Sequence, residues 1–375
     1  MRGVITIAKF SGIPVQLHWT FSLVVLWVAY QGWMNGWAAE EILRAALPLA
    51  ALFICVVLHE FGHALTARRY GVETRDIILS PIGGVARMTR LPDKPLQEWA
   101  VAAAGPIVNL VLAALFLGPV LGNPQTRQKL LNLFDYNSNY LFVNLSLWQY
   151  LALSMLLLNL LLALFNLLPA FPMDGGRMLR ALLSVRLGRK KATRVATYLG
   201  QALAVLFVLY GLWSQQNLLM VFIGIFVFVM GSAEYNMVRI DHWLEHRRVA
   251  DLMRQDFTRL YPDDSMELVA EISTRGKEKN FLILDQWQEV QGILSGKEIM
   301  AAVKAHAFGQ PVADFYLPSR KGLLPQDTLK EAVTIFQQLE VSLLPVYNQQ
   351  TLVGVLESSA IEEFLQAARK TGKAS

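Results

Sequence analysis

The stretch Cys55-Val56-Val57-Leu58-His59-Glu60-Phe61-Gly62-His63-Ala64 sets two histidines four residues apart, with a glutamate beside the first, inside an apolar run reaching from about residue 44 to 68. Four residues is slightly more than one helical turn, so in a helix both imidazoles leave one face and can hold one zinc ion. Glu60, lying between them, is placed to take a proton from water. The run is long enough to cross a bilayer, and two histidines and a glutamate are costly there. Such residues are expected to face a protein interior and to mark a functional site.

Five further windows of about 20 mostly apolar residues lie outward from this one, roughly at 17–37, 97–121, 146–168, 195–214 and 217–238, which predicts about six transmembrane helices. The composition agrees. Of 375 residues 54% are hydrophobic and 17% charged, against about 25% charged in soluble domains, which excludes an ordinary water-soluble chain. The apolar runs are concentrated before residue 239, so residues 1–245 are expected to form a membrane domain and 246–375 a soluble one. Cys55 is the single cysteine, which excludes intrachain disulfides and any metal site built from several thiolates; it reads as a small buried residue. The net charge is +5, but the basic residues fall in short loops between apolar runs, where they set topology, and nucleic acid is not expected as a partner.

With the N-terminus on the cytoplasmic side, Arg2, Lys9, Arg68, Arg69, Arg75, Arg87, Arg90, Lys94, the cluster from Arg177 to Arg194, Arg239, Arg247 and Arg248 all fall inside, and mainly Arg127 and Lys129 fall outside. The C-terminal domain is then cytoplasmic. Residues 1–16 lack the apolar core and small-residue cleavage site of a signal peptide and read as a short β-hairpin before a retained first span. His18 reads as interfacial, and Trp19, Trp33, Trp37, Trp148 and Trp213 as aromatic belts near span ends.

A catalytic zinc commonly takes three protein ligands, so a third must come from elsewhere. The best candidate at membrane depth is Asp174, in Asn166-Leu167-Leu168-Pro169-Ala170-Phe171-Pro172-Met173-Asp174-Gly175-Gly176. Two prolines and two glycines break the fourth span there, as expected where backbone lines a protected polar cavity. The other reading of Asp174 is an N-cap for a helix beginning at Gly175.

His-Glu-x-x-His on one span and Asn-x-x-Pro-x-x-Pro-x-Asp-Gly on another together resemble the site-2 protease family of intramembrane zinc metalloproteases, over roughly residues 1–240. The resemblance implies one zinc per chain held by His59, His63 and Asp174, with Glu60 as catalytic base. It also aligns Gly105-Pro106-Ile107-Val108-Asn109 with a Gly-Pro-x-x-Asn element of the family. On that alignment Asn109 is a candidate substrate contact; it could equally be an interhelical hydrogen-bonding group, with Gly105 a packing residue. Asn166 is the candidate substrate contact that the aspartate motif implies. The segment Thr74–Arg90 alternates about Ser80-Pro81-Ile82-Gly83-Gly84 and reads as a hairpin near the membrane surface. Its family counterpart is proposed to present an edge strand to substrate, which makes Gly83 and Gly84 candidate substrate-binding positions; the other reading is a surface hairpin of no catalytic role. An edge strand suits the task, because a helical peptide hides its carbonyls and must be extended before attack.

Beyond the last span the chain repeats with a period of 62–63 residues: Val249-Ala250-Asp251 matches Val312-Ala313-Asp314, Leu260–Ser265 matches Leu323–Thr328, and Gly292-Ile293-Leu294 matches Gly354-Val355-Leu356. Each copy reads as helix, strand, strand, helix. This resembles a tandem pair of cystathionine-β-synthase (CBS) domains over about residues 246–370. The resemblance implies an adenine-nucleotide site at Ser295 and Glu298, with Glu357 and Ala360 at the equivalent positions of the second copy departing from the family's Ser/Thr and Asp, and it leaves open a homodimer through the pair.

The whole reads as a polytopic α-helical membrane protein with short β-hairpin elements and a cytoplasmic α/β CBS pair. The function expected is a zinc endopeptidase acting in or near the transmembrane segment of another protein, in the lipid bilayer of a prokaryotic plasma membrane, with the CBS pair regulating it. A metal transporter gated by that pair is the competing class. It would need polar groups spread along a path, whereas here they cluster at one depth with a base between two ligands. A third class is an inactive member acting as a scaffold, against which the four matching residues stand.

Overall fold

The computed structural model describes residues 3–81, 83–90, 92, 94–133, 141–214, 217–276, 278–318 and 321–370. Arg2, Ile82 and residues 371–375, all used in the sequence reading, lie outside them. The chain divides into two units, Met1–Tyr235 and Asn236–Ser375.

The first unit opens with the antiparallel hairpin β1 (Val4–Phe10) and β2 (Ile13–His18). His18 ends β2 and caps the short 3-10 turn Trp19–Phe21, its Nδ1 2.7 Å from Thr20 Oγ1. Helix α1 (Ser22–Met34) follows, then α2 (Ala39–Arg69). The hairpin β3 (Thr74–Ser80) and β4 (Gly83–Met88) comes next. β2 pairs in parallel with β3, so the two hairpins form one sheet in the order β1-β2-β3-β4, a union the local sequence pattern does not contain. Buried Ile13 and Ile77 clasp Ala64 of α2 with Phe61 and Ala86 against them, which seats the sheet beside the histidine motif.

Helices α3 (Pro95–Gly122), α4 (Pro124–Leu131), α5 (Leu147–Leu167), α6 (Asp174–Leu187), α7 (Arg189–Trp213) and α8 (Leu218–Glu245) complete the bundle. Among the described residues five helices, α2, α3, α5, α7 and α8, are long and apolar enough to cross a membrane. The first apolar window differs from expectation: its start is used by β2 and the 3-10 turn, leaving α1 only 13 residues. At 1.5 Å per residue that is about 20 Å, short of a hydrocarbon core about 30 Å thick. In the spanning windows only 17–39% of residues are buried, and Leu115, Leu164, Leu206 and Phe222 are 56–68% exposed. Apolar surface of that extent is covered by lipid, and the protein is an integral membrane protein.

In the second unit the repeat is realised as α9 (Met266–Arg275), β6 (Phe281–Leu284), β7 (Val290–Leu294) and α10 (Gly296–Lys304), then α11 (Leu329–Leu339), β9 (Leu343–Asn348), β10 (Thr351–Glu357) and α12 (Ser358–Lys370). The short strands β5 (Arg259–Leu260) and β8 (Leu317–Pro318) flank β6 and β7. The two copies exchange equivalent hydrogen bonds: Val249 N donates to Asp327 O at 2.9 Å and Val312 N to Asp264 O at 2.8 Å, while Ala250 N reaches Pro325 O and Ala313 N reaches Pro262 O, both at 3.0 Å. One copy therefore satisfies loop carbonyls of the other, which is why the pair folds as a unit. The last turns of α8 join this core through Ile240, Trp243 and Leu244, so the division of the chain falls within α8.

Arg180 of α6 is a charged side chain that is 0% exposed. Its Nε donates to Glu98 Oε1 of α3 at 2.7 Å and its Nη1 to Glu234 Oε1 of α8 at 2.7 Å, with the guanidinium 5.2 Å from the Phe171 ring centroid. A cation stripped of water is tolerable only with such partners, and removing it strands Glu98, itself 7% exposed. Arg180→Met is expected to lower stability by about 3–5 kcal/mol, read as a shifted denaturation midpoint in detergent; an unchanged midpoint would show that the pair is dispensable.

Candidate metal centre

Two of the three expected ligands come from α2 and the third from the start of α6. His59 and His63 leave the same helix face, one turn apart, with their rings edge to face at 4.7 Å between centroids. They and Asp174 are each 5–6% exposed. The two Nε2 atoms are 3.1 Å apart, and Asp174 Oδ2 lies 3.2 Å from that of His59 and 3.0 Å from that of His63. A tetrahedral ion with N and O ligands at 2.0–2.1 Å sets its ligand atoms about 3.3 Å apart, so the three atoms stand close to three corners of such a site.

The bonds behind the rings decide what those atoms are. His63 Nδ1–H donates to the backbone carbonyl of Val101 at 2.7 Å, and His59 Nδ1–H donates to Asn109 Oδ1. In the neutral rings, with the proton used at Nδ1, each Nε2 carries a lone pair. Two lone pairs and a carboxylate oxygen then face one another, an arrangement that needs a cation among them, a metal ion or a proton. Zinc suits this N2O set and would retain a position for water.

Local sequence explains the convergence. Asp174 is the first residue of α6, and the position before it is Met173, which has no side-chain capping bond. The capping alternative therefore falls: the carboxylate is turned to the histidines. Gly175 and Gly176 let the first turn of α6 lie against the backbone of Leu167–Phe171, where a Cβ on Gly176 would stand 2.6 Å from Ala170 C. Gly105 of α3 lies against both rings, and a Cβ there would be 2.6 Å from His59 Nε2.

Glu60 is half-buried and accepts from Ala86 N of β4 at 3.0 Å. β4 is one of the sheet's two edge strands, and Gly84 lets it approach closely, since a Cβ there would be 2.8 Å from Glu60 Cγ. Gly83, with φ of +135°, turns the chain into β4 in a conformation that suits glycine. Asn109, taken from sequence as either an interhelical group or a substrate contact, is the former: it is 0% exposed, and both ends of its amide are engaged, Oδ1 by His59 and Nδ2 by Asn159 Oδ1 at 2.9 Å. A side chain so enclosed serves the histidine and cannot reach substrate. Asn166 donates back to Leu162 O of its own helix at 3.0 Å. Cys55 is buried, as expected, and receives a bond from Asn159. Ser295 and Glu298 bond each other in a capping box at the start of α10, so the local role of both is helix capping.

Asn159 was missed by the sequence reading. Its signal was present, a lone amide within Leu156-Leu157-Leu158-Asn159-Leu160-Leu161-Leu162, since an isolated amide in an apolar span must find a partner. A second group able to hold a metal, His242, Glu245 and His246, lies at the largely exposed end of α8, where Lys330 Nζ bonds Glu245 at 2.6 Å.

Comparison with known proteins adds independent findings. Residues 48–210 match the family described as peptidase family M50. The chain is 35% identical over 270 residues to a zinc metalloprotease of Methanocaldococcus jannaschii, covering 71% of each chain. Among solved structures it is similar to the site-2 protease from Methanocaldococcus jannaschii at 36% identity and TM-score 0.42, covering 62% of this chain and 95% of that one. It is also similar to a CBS domain pair in complex with 5′-methylthioadenosine and S-adenosyl-L-methionine, at 15% identity and TM-score 0.29, covering 32% of this chain and 98% of that one.

Gly105→Ala is expected to weaken metal binding at least about tenfold by pressing on both rings, with helix content unchanged. Elemental analysis after competition with a chelator reads this directly, and full retention of metal would show that the rings move aside.

Proposed function

Because this chain belongs to peptidase family M50, the zinc metalloproteases that include the site-2 proteases, we propose that it hydrolyses peptide bonds within or beside the transmembrane segments of other membrane proteins. The observation that carries this reading is the buried meeting of two Nε2 nitrogens and one carboxylate oxygen, with Glu60 one residue along the same helix. His59, His63 and Asp174 hold the zinc. When bound, zinc supplies a Lewis acid that makes water more acidic and draws charge from a carbonyl. Val101 O and Asn109 keep the two rings aimed. Glu60 takes the proton from the attacking water and passes it to the leaving amine.

Depth supports an intramembrane reaction. His59 lies ten residues before Arg69, where α2 ends, which puts it about 15 Å along the helix from that end. The distribution of Lys and Arg supports an orientation with the N-terminus and the second unit cytoplasmic, and the similarity to an archaeal zinc metalloprotease supports a prokaryotic plasma membrane as its site. The edge strand β4, adjoining Glu60, is suited to receive an extended substrate segment by strand addition, with Gly83 and Gly84 nearest its start. Asn166 is kept as a substrate contact. The second unit is a CBS pair that regulates cleavage through an adenine nucleotide near Ser295 and Glu298, and that pair is also the surface for a homodimer.

Zinc per chain and cleavage of a transmembrane substrate in proteoliposomes test the centre together. Wild type and Glu60→Gln are expected to carry about one zinc, Asp174→Ala to be depleted, and both variants to lose cleavage by at least about a hundredfold. Cleavage persisting in Glu60→Gln would remove it as the base, and full zinc in Asp174→Ala would remove the third ligand. For the CBS pair, cleavage by the full chain is expected to change when AMP or ATP is added; equal rates would remove nucleotide control.

A further inference from the structure

We propose that Asn159 is a positioning residue for the metal centre, acting through Asn109 to fix which nitrogen of His59 carries the proton. The inference rests on the reading of His59 as a zinc ligand. An amide can turn either its oxygen or its NH2 toward His59 Nδ1, and the two choices have opposite consequences. Oxygen keeps the proton on Nδ1 and leaves the Nε2 lone pair for the metal. NH2 would occupy the Nδ1 lone pair and move the proton to Nε2, where it would stand between His59, His63 and Asp174.

Nothing about Asn109 alone selects between them. The selection is made one amide further away. Met155 O is a backbone carbonyl and can only accept, and Asn159 Nδ2 lies 2.9 Å from it and 3.3 Å from Cys55 Sγ. The NH2 of Asn159 is therefore committed, and its oxygen faces Asn109 Nδ2 at 2.9 Å. Asn109 in turn has its oxygen left for His59. The polarity runs one way, from Met155 and Cys55 through Asn159 and Asn109 to His59, across α5, α3 and α2. Asn109 and Asn159 are 0% exposed and His59 6%, so the two amides take their hydrogen bonds from protein groups and not from the protein surface.

The test uses full-length protein in detergent, with zinc affinity measured by competition against a chelator. Asn159→Leu preserves bulk but frees the Asn109 amide to turn over, and is expected to weaken zinc about 10–100-fold. Adding Asn109→Asp to that variant is expected to restore affinity to near the wild-type value, because both carboxylate oxygens accept and neither orientation is wrong. Unchanged affinity in Asn159→Leu would overturn the proposal. So would a double variant as weak as the single one, which is the result that packing alone predicts. A readout free of any variant's folding is the imidazole nitrogen NMR spectrum of the metal-free wild type. His59 is expected to carry a proton at Nδ1, and a ring that carries its proton at Nε2 alone overturns the assignment. If wild type bound no zinc, the reading of the centre would fail instead, and the tautomer measurement would still decide the role of Asn159.

Discussion

Three acceptors turned toward one another inside an apolar bundle are held there at a cost, and much of the first unit is arranged to meet it. His59, His63 and Asp174 would separate if their helices were free to do so. α3 prevents this by packing against α2, α5 and α6 at once, with Ala102, Ala103 and Gly105 giving it room to approach. From α3 come Val101 O and Asn109, which orient the rings, and Glu98, which together with Glu234 secures Arg180 and thereby α6, the helix that Asp174 begins. A bundle designed only for stability would have no use for this set of buried polar groups. Their placement makes sense when a divalent cation completes the charge balance.

Much of this was legible in the linear chain. The i, i+4 histidines and the Pro-Gly break before α6 follow from helical periodicity and backbone sterics, both local rules. The hairpins at the N-terminus and at Thr74–Arg90 were legible for the same reason. The parallel pairing of β2 with β3 was not, because Val15 and Ile77 meet only after α2 has been placed. The length of α1 was also hidden. Hydropathy counts residues 17–21 as span, whereas the strand and the 3-10 turn remove them from the helix. Asn109 was seen as a polar group in a span, but its partners could not be named, since Asn159 and His59 lie 50 residues away on either side in sequence.

The second unit shows how a repeat becomes a fold. Asp264 and Asp327 each close a turn by accepting from the backbone of Tyr261 and Leu324 at 2.7 Å, while Ser265 and Thr328 cap the helices that follow. Those same loops supply the carbonyls that the opposite copy bonds. A periodicity visible as matching letters is thus a matching set of turns and caps. The Ser295 and Glu298 pair belongs to this capping chemistry, and a ligand that engaged either residue would have to compete with the start of α10.

Helix α1 has a consequence for the lipid itself. Leu23, Val25, Leu26, Trp27, Tyr30 and Trp33 leave it apolar and exposed along its length, yet about 20 Å of helix cannot match about 30 Å of hydrocarbon. Hydrophobic mismatch of this size is relieved by local thinning of the bilayer, by snorkelling of flanking side chains or by association with another helix, and α1 packs on α2, which carries the histidines. Whichever of these operates, the adjustment to the short helix falls on the flank of the bundle beside the helix that carries His59 and His63.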